Sequence, residues 1–203
     1  MRAFDTIIFD FGGVLIDWNP RYVFRQIFDT EKEIDWFLEN ICDMAWNEEQ
    51  DAGRSLEEAT AIKLIEYPEH AQAILAYYGR WEEMLGGPIQ TSVDILTSLK
   101  DSNQYRLYGL TNWSEETFPF ARERFDFLNI FDGIVVSGVE KTRKPFPKIY
   151  NLLLDRYEVD AEKAVFIDDN LRNVNAARGL GIEGIHFESS DQLKNDLSDL
   201  KIL

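Results

Sequence analysis

Cysteine and histidine are scarce in this chain of 203 residues, which has one cysteine, Cys42, and two histidines, His70 and His186. A single cysteine excludes a disulfide framework and is typical of a protein in a reducing compartment. The two histidines lie far apart in the sequence and do not have the spacing of metal ligands. We therefore assign a chemical role to neither histidine.

Basic residues and long apolar runs are also few. The chain has 21 Lys and Arg against 37 Asp and Glu, which gives a formal charge of −16. A protein that binds a nucleic acid or an anionic membrane needs a stripe of basic residues on its surface, so we expect neither partner for this chain. The longest apolar runs have the length of strands, and the N-terminus has no signal-peptide pattern. We expect a soluble cytoplasmic protein.

Short apolar runs rich in β-branched residues recur along the chain, and the stretches between the later runs have helical spacing. This alternation indicates an α/β fold with a Rossmann-like parallel sheet. The predicted strands are residues 6–9, 106–110, 134–136, 164–167 and 184–187. The predicted helices are residues 89–99, 115–125 with Ser114 as N-cap, 148–157 and 171–180.

The segment between the first two strands has a different pattern. Residues 22–84 contain no strand signal and are rich in aromatic residues, leucine and glutamate. A crossover between parallel strands needs only one helix, so the segment is far longer than the connection requires. We predict a helical cap at residues 18–87 that closes over a core domain of residues 1–17 and 88–203.

The edges of this insert contain residues that are typical of turns, and its interior contains aromatic residues that are typical of a helical core. The expected hinges are Gly12-Gly13, Asn19-Pro20 and Gly86-Gly87-Pro88. The aromatic side chains expected in the core of the insert are Trp36, Phe37, Trp46 and Trp81.

Aspartates follow two of the predicted strands. Asp10 follows residues 6–9, and Asp168 and Asp169 follow residues 164–167. Ligands collect at the carboxyl ends of parallel strands, so these acids can converge. Three converging carboxylates repel one another unless a cation lies among them, and oxygen ligands suit Mg²⁺ better than Ca²⁺ here. For either acid alone, the alternative is an aspartate that caps the following turn.

Four short motifs stand at or just after strand ends, in a fixed order. They are Asp10-Phe11-Gly12-Gly13-Val14, Leu110-Thr111-Asn112, Arg143-Lys144-Pro145 and Phe166-Ile167-Asp168-Asp169-Asn170. With this order and spacing, nearly the whole chain resembles the haloacid dehalogenase-like hydrolase superfamily, including a helical cap after the first strand. The resemblance implies a Mg²⁺-dependent phosphatase of small phosphate esters, with sugar phosphates as the leading class.

The resemblance assigns the reacting groups. Asp10 is the expected nucleophile, which attacks the phosphoryl group and forms an aspartyl phosphate that water then hydrolyses. Lys144 is expected to supply positive charge to the phosphate and to Asp10. The Thr111 hydroxyl, together with nearby backbone N–H groups such as that of Asn112, is expected to bind the phosphoryl oxygens. Taken singly, Lys144 also fits a surface lysine and Thr111 an ordinary turn hydroxyl.

The resemblance also assigns the metal ligands. Asp10, Asp169 and a backbone carbonyl at Gly12 are expected to hold Mg²⁺. Asp168 is expected either to bind the metal through water or to hold Lys144 in place. Asn173 is expected to support the metal site, although a plain position on the helix surface is an alternative.

One position departs from the family pattern. Most phosphatases of this family have a second aspartate two residues after the nucleophile, where it serves as the general acid and base, and this chain has Gly12 there. Losing positioned acid–base help costs about 10²–10⁴ in rate. A good leaving group, a metal-bound water or a cap residue such as Glu48, Glu49 or Asp51 can compensate. As charged residues near a helix end, these three acids also need no function.

Two other functions fit parts of the same pattern. A 2-haloacid dehalogenase shares the aspartate nucleophile, the lysine and a tyrosine six residues later, which Tyr150 matches. That branch uses no metal and has small polar residues in place of Asp168 and Asp169, so the acids favour a phosphatase. A weakly catalytic phosphate-binding regulatory protein would fit Gly12 but has no need for the Asp10 nucleophile.

Overall fold

The computed structural model describes residues 4–203, and a parallel sheet forms the centre of this part of the chain. The strands are β1 (Thr6–Phe9), β2 (Ile16–Trp18), β3 (Leu85–Pro88), β4 (Arg106–Thr111), β5 (Gly133–Val136), β6 (Ala164–Asp168) and β7 (Glu183–His186). Five of them form one parallel sheet in the order β5-β4-β1-β6-β7. The α/β prediction is confirmed, and the five expected strands are present with ends that differ by at most one residue.

The helices lie between the strands along the chain, except for the last one, which follows β7. They are α1 (Arg21–Phe24), α2 (Glu31–Asn40), α3 (Met44–Asp51), α4 (Leu56–Glu66), α5 (Ala71–Gly79), α6 (Gln90–Ser102), α7 (Phe118–Arg124), α8 (Ser137–Glu140), α9 (Pro147–Arg156), α10 (Leu171–Arg178) and α11 (Ser190–Asp199). The part of the chain that the structure describes has no helix long and apolar enough to cross a membrane.

Both faces of the parallel sheet are buried. Successive strand residues point to opposite faces, so Ile7 and Phe9 pack in one hydrophobic core while Ile8 packs in another. Helices α6 and α11 contribute to the first core, and α9 and α10 contribute to the second. This burial on both faces explains why β1, Thr6–Phe9, is an apolar run without polar alternation.

The insert between β2 and β3 is helical, as predicted, and consists of α1 to α5 with two short 3₁₀ turns. Phe37, Trp46 and Trp81 are buried, as expected. The expectation for Trp36 is wrong, because its side chain is 48% exposed. The buried face of α2 contains Ile34 and Phe37, which are three residues apart and therefore neighbours on the helix, whereas Trp36 lies off that face beside the ring of His70.

An antiparallel ribbon of β2 and β3 joins the two chain segments that connect the insert to the parallel sheet. Asp17 pairs with Gly87, and Ile16 pairs with Pro88. The sequence analysis treated Gly86-Gly87-Pro88 as a hinge because glycine and proline are typical of turns. The limits proposed for the cap, residues 18–87, both fall within this ribbon.

Helix ends follow local capping chemistry. In α2, Thr30 accepts a hydrogen bond from the Glu33 backbone N–H, while the Glu33 carboxylate accepts one from the Thr30 backbone N–H. Helix α7 begins at Phe118, three residues later than predicted. Ser114 does not cap it directly, because its hydroxyl accepts from the Glu116 N–H and closes a turn before the helix.

We expect the capping box of α2 to stabilise the insert. Thr30→Ala removes the hydroxyl that accepts from Glu33, so the free energy of unfolding should fall by about 0.5–2 kcal/mol, as measured by urea denaturation. Lys32→Ala, at an exposed position of the same helix, is the control and should change it by less than about 0.5 kcal/mol. Equal values for the two variants would contradict a stabilising role for the cap.

Candidate active site

Three adjacent strands bring the predicted site residues together. Asp10 directly follows β1, Thr111 ends β4 and Asp168 ends β6, and these strands lie side by side in the order β4-β1-β6. Oxygen atoms of Asp10, Asp168 and Asp169 all lie within 4.8 Å of one another. The convergence expected from parallel topology is therefore present.

Lys144 lies between two of these carboxylates. Its side chain is 0% exposed, and its Nζ lies 2.9 Å from Asp10 Oδ1 and 2.6 Å from Asp168 Oδ2. Burial lowers the pKa of Lys144, but the two carboxylates outweigh burial and raise that pKa above its ordinary value. Lys144 is therefore a permanent buried cation.

One lysine does not neutralise the whole cluster. Burial raises the pKa of Asp10, Lys144 opposes this, and the charges of Asp168 and Asp169 raise that pKa further, so that it stands well above the ordinary value. Burial and the neighbouring Asp168 also raise the pKa of Asp169. The cluster thus lacks positive charge, and its donors are all oxygen, which fits a hard divalent cation.

Asp168 is fully engaged inside the protein. Its Oδ2 bonds Lys144, its Oδ1 accepts from the Asn170 backbone N–H at 2.8 Å, and the Asn173 amide lies 3.1 Å from both oxygens. Of the two expected roles for Asp168, this geometry favours the one in which it holds Lys144. Asn173 is buried, so it is not a plain position on the helix surface.

The side chain of Asn112 binds the backbone of Lys144. Its Nδ2 donates to the Lys144 carbonyl at 3.0 Å, and its Oδ1 accepts from the Lys144 N–H at 2.8 Å. This reciprocal pair ties the segment that carries Lys144 to the end of β4. The sequence analysis expected Asn112 at the phosphate, and the structure uses its amide to position the lysine.

Two buried oxygen atoms in the site have no hydrogen-bond partner within residues 4–203. They are the Thr111 hydroxyl and the Asn173 carbonyl oxygen Oδ1. A buried polar atom without a partner costs about 1–3 kcal/mol. A bound ligand or water that reaches such an atom would recover this free energy.

The two glycines after Asp10 have different surroundings. Gly13 has φ +73°, and a Cβ there would overlap the Asp169 carboxylate, so only glycine permits this approach. A Cβ at Gly12 would meet no atom within 4 Å. Near the same loop, the His186 ring lies 2.9 Å from the Asp169 backbone carbonyl, a contact that the sequence analysis did not foresee because histidine spacing gave no signal.

A cavity of about 370 Å³ opens beside the carboxylates, between the parallel sheet and the helical insert. Asp10, Gly12 and Asp169 line one side of it. Large apolar side chains from both parts of the chain line the rest: Trp18, Met44, Tyr78, Trp81 and Trp113. The cavity can therefore enclose an organic group next to Asp10.

Glu48 on α3 connects the insert to the core. Its carboxylate forms an ion pair with Arg143 at 2.9 Å and a second ion pair with Arg172. Glu49, its neighbour on α3, is exposed, whereas Asp51 lines the cavity. Of the three acids considered as proton donors, Glu48 is held by two guanidinium groups and only Asp51 is left facing the site.

Comparison with known proteins identifies the family. A model of the haloacid dehalogenase-like hydrolases matches residues 4–181, so the chain belongs to this family. It is similar to a sesquiterpene phosphatase of Aspergillus oryzae, with 29% identity over 93% of this chain and 92% of that protein. It is also similar to a phosphorylated carbohydrates phosphatase of Thermotoga maritima, with 24% identity over 90% and 84%.

A solved structure has the same fold. It is an HAD family enzyme from Bacteroides thetaiotaomicron, crystallised as a mutant in complex with magnesium and inorganic phosphate. The TM-score is 0.72 at 20% identity, and the match covers 94% of this chain and 99% of that one. The family and the α/β fold expected from the four motifs are therefore confirmed.

We expect Lys144 to determine the stability of the site. Lys144→Met leaves Asp10 and Asp168 buried without a cation, so the free energy of unfolding at pH 7 should fall by about 3–5 kcal/mol, as measured by urea denaturation. The difference in the free energy of unfolding between the wild type and Lys144→Met should become smaller at lower pH, because the carboxylates of Asp10 and Asp168 become protonated. Lys100→Met breaks an exposed pair with Asp132 and should cost less than about 1 kcal/mol. Similar losses for both variants would contradict this assignment.

Proposed function

We propose that this hydrolase is a Mg²⁺-dependent phosphatase of small phosphate esters that works through an aspartyl phosphate on Asp10. The observation that carries the proposal is the arrangement of Lys144, Asp10, Asp168 and Asp169 at the edge of a cavity. A nucleophilic carboxylate needs nearby positive charge when it approaches a phosphate, and this arrangement supplies it. The phosphatases among the relatives support the same chemistry.

Asp10 is the nucleophile in this proposal. Its Oδ1 accepts hydrogen bonds from the Phe11 backbone N–H at 2.7 Å and from Lys144, which fixes the orientation of the carboxylate. Asp10, Asp169 and the Gly12 backbone carbonyl would hold Mg²⁺, whose charge offsets the repulsion between carboxylates and phosphate. Asp168 supports the site by holding Lys144, and the Asn173 amide donates to the Asp168 carboxylate.

The phosphate lies between the ends of β1 and β4 in this proposal. The unpaired Thr111 hydroxyl donates to one phosphoryl oxygen, and the Lys144 ammonium lies beside the phosphate as a point charge. Because the Asn112 amide is used by the Lys144 backbone, Asn112 contributes through its own backbone N–H. These donors stabilise the charge that develops during transfer.

The side chains that line the cavity indicate which class of phosphate ester can bind. Sugar phosphates are the class that the sequence favours, and the similarity to a phosphorylated carbohydrates phosphatase supports them. The tryptophan and tyrosine side chains on the walls, Trp18, Trp81, Trp113 and Tyr78, also favour esters with an apolar organic group. The similarity to a sesquiterpene phosphatase supports this second class.

The covalent mechanism predicts that phosphate release requires Asp10 and a divalent metal. Asp10→Asn removes the nucleophile and should abolish release of phosphate from p-nitrophenyl phosphate, while EDTA should stop the wild type and Mg²⁺ should restore it. Borohydride reduction of acid-quenched wild-type enzyme should modify Asp10 only after substrate is added. Full turnover by Asp10→Asn would refute the mechanism, and metal-independent release of halide from 2-haloacids would favour the dehalogenase instead.

Metal binding can be tested without turnover. Mg²⁺ at 100 times its dissociation constant should stabilise the wild type by about 2.7 kcal/mol, seen as a rise in melting temperature. Asp169→Asn removes a proposed ligand and should lose most of this rise. Asp29→Asn, an exposed acid outside the cavity, should keep it. An equal rise in both variants would place the metal elsewhere.

The substrate classes can be separated with a matched panel. Sugar 1- and 6-phosphates, prenyl monophosphates and aryl phosphates should be compared by kcat/KM. If the apolar walls select the substrate, Trp81→Ala should reduce kcat/KM for prenyl esters by about 10–100-fold, since burying an apolar group of this size is worth about 1.5–3 kcal/mol. A loss confined to sugar phosphates would favour carbohydrate substrates.

A further inference from the structure

The site as described has no proton donor for the leaving group. Gly12 has no side chain, and the space around its Cβ position is open. A cavity residue must therefore supply the proton, or the leaving group must depart without one. The titratable side chains that line the cavity are Asp10, Glu48, Asp51, Tyr78, Asp169 and Arg172.

Most of these groups are already engaged. Asp10 and Asp169 belong to the proposed nucleophile and metal site. Glu48 forms ion pairs with Arg143 and Arg172, so its carboxylate is already engaged. The Arg172 guanidinium is in turn engaged by Glu48. The Tyr78 hydroxyl accepts from Gln50 at 2.8 Å and donates to Asn47 at 3.0 Å, and burial raises its pKa far from neutrality. Within the described part of the chain, residues 4–203, Asp51 is the one carboxyl group on the cavity wall that remains.

Asp51 is half-buried and weakly bonded. Among residues 4–203, its carboxylate has one hydrogen bond, a long one of 3.4 Å from the Asn47 amide. A carboxyl group with so little engagement in the protein is free to bond a ligand atom. Asp51 lines the same cavity as Gly12 and Asp10, so an ester that fills this cavity can contact it.

The loop after Asp51 is docked on the core. Gly53 has φ +100°, and a Cβ at this position would overlap the Lys141 side chain and lie 3.1 Å from the Gly138 carbonyl. Helix α3, which ends at Asp51, is also tied to the core by the Glu48–Arg143 ion pair. Asp51 is therefore held in position by contacts on both sides of it in the sequence.

The surroundings of Asp51 favour a group that exchanges protons near neutral pH. Burial raises the pKa of Asp51 to about 7, with a further increase from Glu48, while Arg143 and Lys144 lower it. An acid–base catalyst is most effective when its pKa lies near the working pH. Both protonation states of this carboxyl group are thus populated under ordinary conditions.

We propose that Asp51 donates a proton to the leaving-group oxygen and later accepts one from water, in place of the acid that is missing at Gly12. The inference rests on the proposed phosphatase function. In the first step Asp10 bonds to phosphorus, the bond from phosphorus to the ester oxygen breaks, and that oxygen takes the Asp51 proton to leave as an alcohol. In the second step water attacks phosphorus, its proton passes to Asp51, and the bond from phosphorus to Asp10 breaks.

The test is whether the effect of Asp51→Asn on kcat/KM depends on the leaving group of the substrate. For alkyl phosphates, whose alkoxide leaves poorly, kcat/KM should fall by about 10²–10⁴. For p-nitrophenyl phosphate, whose phenolate leaves without a proton, kcat/KM should fall far less. Because the second step lacks its base, the variant should release a burst of nitrophenol and accumulate aspartyl phosphate.

The pH profile gives an independent readout. With alkyl phosphates the protonated form of Asp51 is required in the first step, so wild-type kcat/KM should decline as the pH rises through about 7. Asp51→Asn should lack this decline. Glu49→Gln, an exposed acid on the same helix, is the matched control and should keep the wild-type profile.

A double variant, Gly12→Asp together with Asp51→Asn, tests whether a carboxyl group at Gly12 can replace that of Asp51. The space at Gly12 accepts a side chain, so the new carboxyl group should restore much of the activity toward alkyl phosphates. Equal losses of kcat/KM for alkyl and aryl phosphates in a folded Asp51→Asn would overturn the inference. Wild type without any Asp10-dependent activity would instead refute the phosphatase function itself.

Discussion

A lysine with no solvent exposure holds the ends of three strands together. Lys144 bonds Asp10 after β1 and Asp168 at the end of β6, and Asn112 after β4 binds its backbone. A buried ion pair is often no more stable than an apolar replacement, but losing one partner is costly. The surrounding bonds to Asp168, including those from Asn173, therefore exist to keep one charge in one position. The proposed nucleophile and the aspartate at the end of β6 are thus both fixed by contacts with that charge.

Much of this arrangement could be predicted from the sequence, because it follows from topology. Apolar runs that end in aspartate predict buried strands, and parallel order brings Asp10 and Asp168 to one edge. The β2–β3 ribbon could not be predicted, since Gly86-Gly87-Pro88 has the composition of a turn and pairs only because a distant segment lies beside it. The use of the Asn112 amide was missed for a similar reason, because a partner 32 residues away gives no local signal.

The charged side chains around the cavity include both signs. The chain carries −16, and the cations that gather where the insert meets the core, Arg143, Lys144 and Arg172, are each paired with a carboxylate. Long-range attraction of an anionic substrate is therefore weak, and the anion must be bound by short-range contacts inside a low-dielectric cavity. Glu48 satisfies both arginines, which leaves the buried lysine as the cation beside the nucleophile.

Two carboxyl groups on one cavity have different surroundings, and the difference separates their roles. Burial, Asp168 and Asp169 raise the pKa of Asp10, whereas the Lys144 ammonium at 2.9 Å lowers it, and a metal ion bound beside Asp10 would lower it further. Within residues 4–203 Asp51 has no ion pair, and burial followed by the charge of Glu48 raises its pKa more than Arg143 and Lys144 lower it, which favours the protonated form. A nucleophile must be ionised and a proton donor must be protonated at the same pH. The helical insert supplies the surroundings of the proton donor. The strand ends alone do not provide them, because their acids surround one lysine and Gly12 has no side chain.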